Sequence, residues 1–416
     1  MGTNWKIILA SMIGNALELY DFVLYGVFST IFAHEFFSHQ DPHTAILSAL
    51  SVFAVGYLAR PIGGILCGHF GDKFSRRGAL VFTISTMGIA TCLIGLLPTY
   101  SMIGITSVVL LVFLRLIQGL AVGGEYPGSV VILSEQAPPG HKAFFSALAF
   151  VGATGGLLIG SAIANIFTHF LSPASLQSWG WRIPFILSLG LAGLGLYIRL
   201  KLWDFSRSSA DKDAPKIPIL TICRDYKFSL LKGLCIAAPL CILTSITMVF
   251  IATYFNHFLH YSLPFSIATI FVLSALMLIC FPLGALLADC LGENYYSYWM
   301  IGGNIMSTVA VYPCFLWMQH GPWSALMAIS CYTFIASLTL GPSFTLVVNL
   351  FPPEVRYSGS AVTFDIATAL LMGTSPLLMV WLIDHIGLTA PAGYLLASTT
   401  VAIAAILWKK RKLTEI

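Results

Sequence analysis

The sequence predicts an all-α membrane protein with twelve transmembrane helices in two pseudo-symmetric bundles of six. The chain of 416 residues is 57% hydrophobic and 9% charged, with a mean hydropathy of +0.87. A soluble domain cannot bury that much apolar surface. The apolar runs are long and unbroken, as expected of helices that cross about 30 Å of hydrocarbon. A membrane β-barrel would instead show short strands of alternating hydropathy.

The apolar segments and the one long polar stretch predict the domain organisation. Residues 1–202 are predicted to form the N-terminal six-helix bundle, residues 229–416 the C-terminal bundle, and residues 203–228 a linker. The halves also repeat each other, since GDKFSRR (71–77) ends the second segment and ADCLGEN (288–294) ends the eighth. The predicted spans lie near 8–37, 45–70, 79–98, 102–134, 143–170, 183–202, 229–259, 264–289, 297–318, 322–350, 357–384 and 389–408.

Basic residues predict the orientation of these spans. One set of loops holds almost all of them, including Lys142, Arg356 and KKRK at 409–412, whereas the opposite loops hold Arg182. Because positively charged loops stay in the cytoplasm, both termini and the linker are predicted to be cytoplasmic. The nine cysteines are scattered without a CxxC motif, and the histidines of HEFFSH (34–39) are five apart where a zinc-protease motif needs four. No metal site is predicted.

The first segment, GNALELYDFVLYG (14–26), carries two carboxylates at a depth where hydrocarbon is expected. A charge at the bilayer centre costs about 2.5–3.5 kcal/mol, so each needs a partner. Counting the helical rise along the fourth segment places Arg115 near the depth of Asp21, and we expect it to pair with Asp21 or Glu18. These charges either join helices or carry a proton. The second role is favoured, with Asp21 first and Glu18 second, because a carboxylate's proton affinity depends on its distance from a guanidinium.

Two further sets of residues are predicted to bind the solute and to close the cytoplasmic side. The expected gate contains charges at the ends of the second and fourth segments, with Arg60 expected to pair with Glu125. The predicted binding residues are Arg115, Gln118, Tyr25, Tyr254, Tyr332 and Asp365, and the predicted gate residues are Asp72, Arg76, Arg77, Glu135, Arg60 and Glu125. Within the membrane segments, four carboxylates (Glu18, Asp21, Glu125 and Asp365) outnumber two arginines (Arg60 and Arg115), which favours a zwitterion or a solute with a cationic head, with the tyrosines as π faces.

These motifs resemble those of the major facilitator superfamily, and within it the metabolite:proton symporter family of bacterial inner membranes. The matching stretches are ELYDFVLYG, ARPIGGILCGHFGDKFSRRG, RLIQGLAVGGEYPGS, SEQAPPG, TYFNHFLHYS and FPPEVRYSGSAVTFDIA. The resemblance implies the twelve-helix facilitator fold and solute uptake driven by the proton gradient, with no other cofactor. It departs from the family at Asp365, which adds a carboxylate, and at Glu293 and Asn294, which replace an expected basic pair and predict a weakened second gate.

The predicted activity is import, by proton symport with alternating access, of a small carboxylate-bearing metabolite: an organic acid, an amino acid or a zwitterionic osmolyte. A larger polycarboxylate such as a citrate-type metal chelator stays open. Two alternatives are a proton-antiport exporter, against which the proline-free fifth segment VGATGGLLIGSAIA (151–164) argues, and a transporter-like sensor. We expect a functional monomer in the lipid bilayer, no enzymatic activity and no nucleic-acid partner.

Overall fold

The computed structural model describes residues 5–64, 76–123, 125–202, 222, 224–352 and 355–408. These residues are helical and contain no β-strand, which confirms the all-α prediction for this part of the chain. The longer helices are α1 Trp5–Val27, α2 Ser29–Phe37, α3 Pro42–Leu58, α4 Arg76–Leu96, α5 Ile105–Val122, α6 Glu125–Glu135, α7 Lys142–Phe170, α8 Arg182–Leu202, α9 Lys227–Ser245, α10 Leu263–Leu291, α11 Tyr296–Trp317, α12 Pro322–Leu340, α13 Arg356–Ala367, α14 Ser375–Ile386 and α15 Ala390–Leu407.

Many of these helices are long and apolar enough to cross a membrane. The described residues contain nine such spans, or up to eleven if each of two bent helix pairs counts as one span. The bent pairs are α1 with α2, at 63°, and Pro173–Gly180 with the first part of α8, at 48°. A shorter apolar helix covers Val81–Leu96.

Close helix contacts organise the N-terminal half, here residues 5–202. Helix α1 packs along α7, and a Cβ at Gly156 would overlap the backbone of Ala16. Helix α5 likewise approaches the span Pro42–Gly64, which consists of α3 and its continuation and which we refer to as the α3 span. The approach is so close that a Cβ at Gly119 would overlap the carbonyl of Gly56. Glycine at these positions lets the two backbones approach closely. In a bilayer, lipid tails are as apolar as the helix side chains, so helices are held together mainly by such close packing.

The two halves meet along α1, α3 and α7. Helix α7 packs against α10 of the C-terminal half, here residues 224–408. Helix α9 continues through two π-helical turns, Ile246–Phe250 and Tyr254–Phe258, and the first of these contacts α1. Helix α13 continues through a third π turn, Thr368–Gly373, where Gly373 packs against the ring of Tyr57.

Several predicted features lie outside the described residues. Asp72 and most of the linker (203–228) fall there, as does KKRK at 409–412. Arg76 and Arg77 begin α4, but their side chains are not among those described.

Candidate functional site

A buried ion pair joins α1 to α5 in the middle of the N-terminal half. The Arg115 Nη1 atom donates to Asp21 Oδ2 at 2.9 Å, which is the predicted contact. Gln118 Nε2 donates to the other oxygen of Asp21 at 2.8 Å and to Thr91 Oγ1 at 2.7 Å. Both Asp21 oxygens are therefore occupied, and the side chains are almost fully buried, at 1% exposure for Asp21 and 0% for Arg115.

Aromatic rings complete the surroundings of the Arg115 guanidinium. The Cζ atom of Arg115, at the centre of the guanidinium, lies 3.9 Å from the ring centre of Tyr25 and 5.5 Å from that of Phe22. The Tyr25 hydroxyl donates to the carbonyl of Ala49 at 3.0 Å, which fixes the ring between α1 and α3. Because a guanidinium is attracted to an aromatic face, these rings hold Arg115 beside Asp21 from a second direction.

A second buried ion pair lies one helical turn along α1. Glu18 Oε1 lies 2.5 Å from Arg60 Nη2, and both side chains are buried. The predicted pairing of Arg60 with Glu125 is therefore replaced by a pairing with Glu18, because the guanidinium extends from the α3 span toward α1. Glu125 accepts a hydrogen bond from Thr83 at 3.2 Å.

Glu18 and Arg60 line a cavity between the two halves of the chain. Most of the other lining side chains are apolar or aromatic. The N-terminal half contributes Glu18, Leu19, Arg60, Tyr126 and Phe150, and the C-terminal half contributes Ala237, Leu240, Cys241, Thr244, Phe344, Phe364, Thr368 and Met372. A site lined by both halves would change shape if the halves moved relative to each other.

The remaining predicted binding residues lie outside the lining of this cavity. Asp365 is buried next to it on α13 and interacts electrostatically with both Glu18 and Arg60. The Tyr254 hydroxyl donates to the carbonyl of Leu388 at 3.0 Å, and Tyr332 is buried within α12. The predicted gate residue Glu135 is exposed at the end of α6.

One end of the molecule is closed by contacts between the halves at residues 142–146, 289–293 and 345; we refer to it as the 142–293 end. Asp289 accepts hydrogen bonds from the backbone N–H groups of Ala143 at 3.1 Å and Phe144 at 2.8 Å, and from the Tyr296 hydroxyl. Its carboxylate thus caps the N-terminus of α7 from the opposite half, where anions are favoured. Lys142 Nζ also lies 3.0 Å from Glu293 Oε1, so the acid that replaces the expected basic pair forms a cross-half contact of its own.

The opposite end, which we refer to as the 43–384 end, is also closed by contacts between the halves. His43 Nε2 lies 2.8 Å from Asp384 Oδ2. The His43 and His257 rings lie 6.0 Å apart, and Ser29 Oγ lies 3.2 Å from Thr253 Oγ1. The two halves therefore contact each other at both ends of the described part of the molecule.

Sequence comparison identifies the fold family. A family model described as "Major Facilitator Superfamily" matches residues 11–374. The chain belongs to this superfamily. It is 33% identical to the "Inner membrane metabolite transport protein YhjE" of Escherichia coli (strain K12), over 97% of this chain and 93% of that protein. It is 32% identical to the "Proline/betaine transporter" of the same strain, over 96% and 82%.

A solved structure titled "Crystal structure of D-xylose-proton symporter" has the same fold, with a TM-score of 0.75 at 17% identity and 98% coverage of both chains. The family match and the relatives identify this chain as a multi-pass membrane transporter of the major facilitator superfamily. The comparison with the xylose symporter concerns the fold alone.

Sequence reasoning missed several residues of this facilitator's central region. Four aromatic residues line the cavity: Tyr126, Phe150, Phe344 and Phe364. Their positions could not be predicted from the sequence, because aromatic residues are common in membrane helices both at cavities and at the lipid-facing surface. The partners of Asp289 are backbone N–H groups, which no side-chain pattern reveals. The similarity between GDKFSRR and ADCLGEN indicated that Asp289 was notable, but it could not indicate that α7 was the partner.

Proposed function

We propose that this facilitator imports a small carboxylate-bearing metabolite by proton symport with alternating access. We place it in the bacterial inner membrane as a functional monomer, with the proton gradient as its energy source. The observation that supports this most directly is the buried Asp21–Arg115 pair, which lies one helical turn from a cavity lined by both halves.

The chemistry of this pair can couple a proton to a structural change. A proton on Asp21 removes the negative charge that Arg115 Nη1 and Gln118 Nε2 now contact. Breaking a buried ion pair from one side costs about 3–5 kcal/mol, because it leaves the other charge uncompensated. The protonated and ionised forms of Asp21 therefore favour different positions of Arg115. Asp21 is the first candidate for the coupling acid, and Glu18, in the cavity lining, is the second.

The contacts at the two ends of the molecule supply the alternation. Opening toward the 142–293 end requires Asp289 to release the N-terminus of α7, while opening toward the 43–384 end requires His43 and Asp384 to separate. Each opening leaves the contacts at the other end intact. We propose that solute enters the cavity through one opening and leaves through the other.

The proposed topology has twelve spans with both termini in the cytoplasm. Among the described residues, the eleven candidate spans (each bent pair counted as one) and the shorter helix Val81–Leu96 would make twelve, which supports that number. The orientation rests on the distribution of basic residues, which places the 142–293 end in the cytoplasm. The proposed cytoplasmic gate then combines Asp289 with the residues predicted from the sequence, Asp72, Arg76, Arg77 and Glu135.

The substrate class rests on the ion pair in the cavity and on the relatives. Arg60 provides a guanidinium that can hold a carboxylate by two parallel hydrogen bonds. A relative covering nearly the whole chain is named for proline and betaine, both of which are small carboxylates.

Uptake into reconstituted proteoliposomes tests the proposal. Labelled glycine betaine, proline, shikimate and citrate are offered at equal internal and external pH, and again with the outside one pH unit more acidic. For one proton per solute, that gradient sustains about tenfold accumulation. Asp21→Asn should abolish accumulation. Exchange of solute across the membrane, measured without a pH gradient, should be retained in this variant. Glu35→Gln, a matched carboxylate-to-amide change outside the network, should accumulate normally.

The result is decisive in either direction. Accumulation of one of these solutes that a protonophore abolishes supports symport. Accumulation only when the inside is acidified, or the same accumulation in Asp21→Asn as in the unmodified protein, contradicts it.

A further inference from the structure

Four aromatic rings form a continuous wall along the cavity. Phe344 lies at the centre, with ring centres 5.4 Å from Phe364, 5.7 Å from Tyr126 and 6.0 Å from Phe150. The rings come from both halves of the chain, and all four residues line the cavity. The face of an aromatic ring is the negative end of its quadrupole. A positive head group is therefore attracted to each of these rings that presents its face to the cavity, and a carboxylate is not.

A buried carboxylate oxygen adds to the attraction for positive charge. Glu18 Oε1 contacts Arg60, but Glu18 Oε2 is buried and has no hydrogen-bond partner among the described residues. The Glu18 side chain belongs to the lining of the same cavity. An ionised carboxylate with one oxygen unpaired attracts a cation in the cavity electrostatically, and this attraction requires no N–H donor on the cation.

Arg60 has a matching unsatisfied group. Its Nε atom is buried without a hydrogen-bond partner in the described part of the chain, while its Nη2 contacts Glu18. A zwitterion between the two residues would place its cationic head against Glu18 Oε2 and its carboxylate against Arg60. The Glu18–Arg60 ion pair would then be extended by the solute, whose positive head contacts Glu18 and whose carboxylate contacts Arg60.

We infer that the cavity selects solutes with a quaternary ammonium head, which rests on the proposed function in taking this cavity as the transport site. The lining contains few groups that could hydrogen-bond a sugar, namely the hydroxyls of Thr244 and Thr368 and the Tyr126 phenol, beside the charged pair. A trimethylammonium group needs no hydrogen bonds. It has a positive apolar surface, which suits aromatic faces and an adjoining carboxylate.

Equilibrium binding without any pH gradient tests the inference separately from proton coupling. The purified full-length protein is titrated with glycine betaine and choline, and with their carbon isosteres 3,3-dimethylbutanoate and 3,3-dimethylbutan-1-ol. D-xylose serves as a neutral polyol. Each isostere keeps the shape of its parent and removes the positive charge. We expect each trimethylammonium compound to bind at least about tenfold more tightly than its isostere.

Matched variants assign the selectivity to the cavity. Phe344→Leu and Phe364→Leu keep an apolar side chain but remove the ring, and each should weaken glycine betaine binding about tenfold while leaving isostere binding nearly unchanged. Phe344→Tyr should retain binding. Phe255→Leu is the control, because Phe255 is equally buried but lies outside the cavity lining. Glu18→Gln should also weaken binding of the trimethylammonium compounds.

Cysteine alkylation in the protein with an unmodified cavity tests the inference without relying on variants that could fail to fold. The Cys241 thiol lines the cavity, whereas Cys331 is exposed on α12. Glycine betaine should slow alkylation of Cys241 by a maleimide without slowing alkylation of Cys331. The carbon isostere should protect Cys241 far less.

The outcomes separate this inference from the proposed function. Equal binding of a compound and its isostere, preferential binding of xylose, or no binding of either trimethylammonium compound would overturn the inference, even if acid-driven uptake of another solute occurs. Selective binding without proton-driven accumulation would support the inference and refute symport.

Discussion

Replacing Asp289 by Asn should open the 142–293 end of the transporter. Asp289 is buried and accepts backbone hydrogen bonds from Ala143 and Phe144 across the halves, together with one from Tyr296. An asparagine has one acceptor oxygen, and its amide would face an N–H group, so at least one cross-half bond is lost. A hydrogen bond to a charged group contributes about 1.5–3 kcal/mol. A loss of about 2 kcal/mol shifts the ratio of closed to open molecules about thirtyfold.

The Cys241 thiol reports this opening, because it lines the cavity. In a variant with the eight other cysteines replaced by serine, a membrane-impermeant maleimide is applied to one face at a time. Asp289→Asn should speed labelling from the 142–293 side about thirtyfold and should not speed it from the 43–384 side. Asp384→Asn, which removes the acid at the other end, should have the opposite sidedness. Unchanged labelling, or an equal increase from both sides, would refute the assignment of Asp289 as a cross-half clasp.

Three further changes test other contacts. Arg115→Lys should impair transport strongly, since lysine lacks the planar guanidinium that contacts an acid, an amide and an aromatic ring; near-normal uptake would demote Arg115 to a packing role. Glu293→Lys should place two cations together and speed Cys241 labelling from the 142–293 side by less than about fivefold, because exposed pairs contribute about 0.2–1 kcal/mol. Adding Lys142→Glu should restore the original rate, and failure to restore it would exclude a direct pair. His43→Ala should speed labelling from the 43–384 side, because it removes the partner of Asp384 at that end. Unchanged labelling in this variant would exclude a closing role for the His43–Asp384 contact.

The depth of a residue along a helix could be predicted from the sequence, but its direction around the helix could not. Counting residues placed Arg115 level with Asp21, and the structure contains that contact. The same counting gave no information on the rotation of each helix about its axis. Arg60 was therefore assigned to Glu125 on a neighbouring segment, whereas the α3 span turns it toward Glu18.

The helical character and the number of apolar segments follow directly from composition, since a long apolar run satisfies its own backbone hydrogen bonds only as a helix. The location of the cavity depends on how the halves pack. Tyr25 and Tyr254 were predicted to offer π faces to a solute, but the Tyr25 ring contacts Arg115 and the Tyr254 hydroxyl contacts the carbonyl of Leu388. Three of the rings that line the cavity, Tyr126, Phe344 and Phe364, have polar neighbours in the sequence, but those neighbours do not show whether the ring itself faces the cavity or lipid.

The π-helical turn Thr368–Gly373 begins at a cavity-lining threonine and ends where Gly373 meets Tyr57 of the other half. Such a turn accommodates one residue more than an α-helical turn, and its hydrogen bonds are less favourable. Conversion to ordinary α geometry would advance every later residue by one position and rotate the side chains by about 100° around the axis. A small change of winding at this point would therefore swing Met372 away from the cavity while Thr368 stays in place. Solute occupancy and helix register would then be linked within a single chain segment.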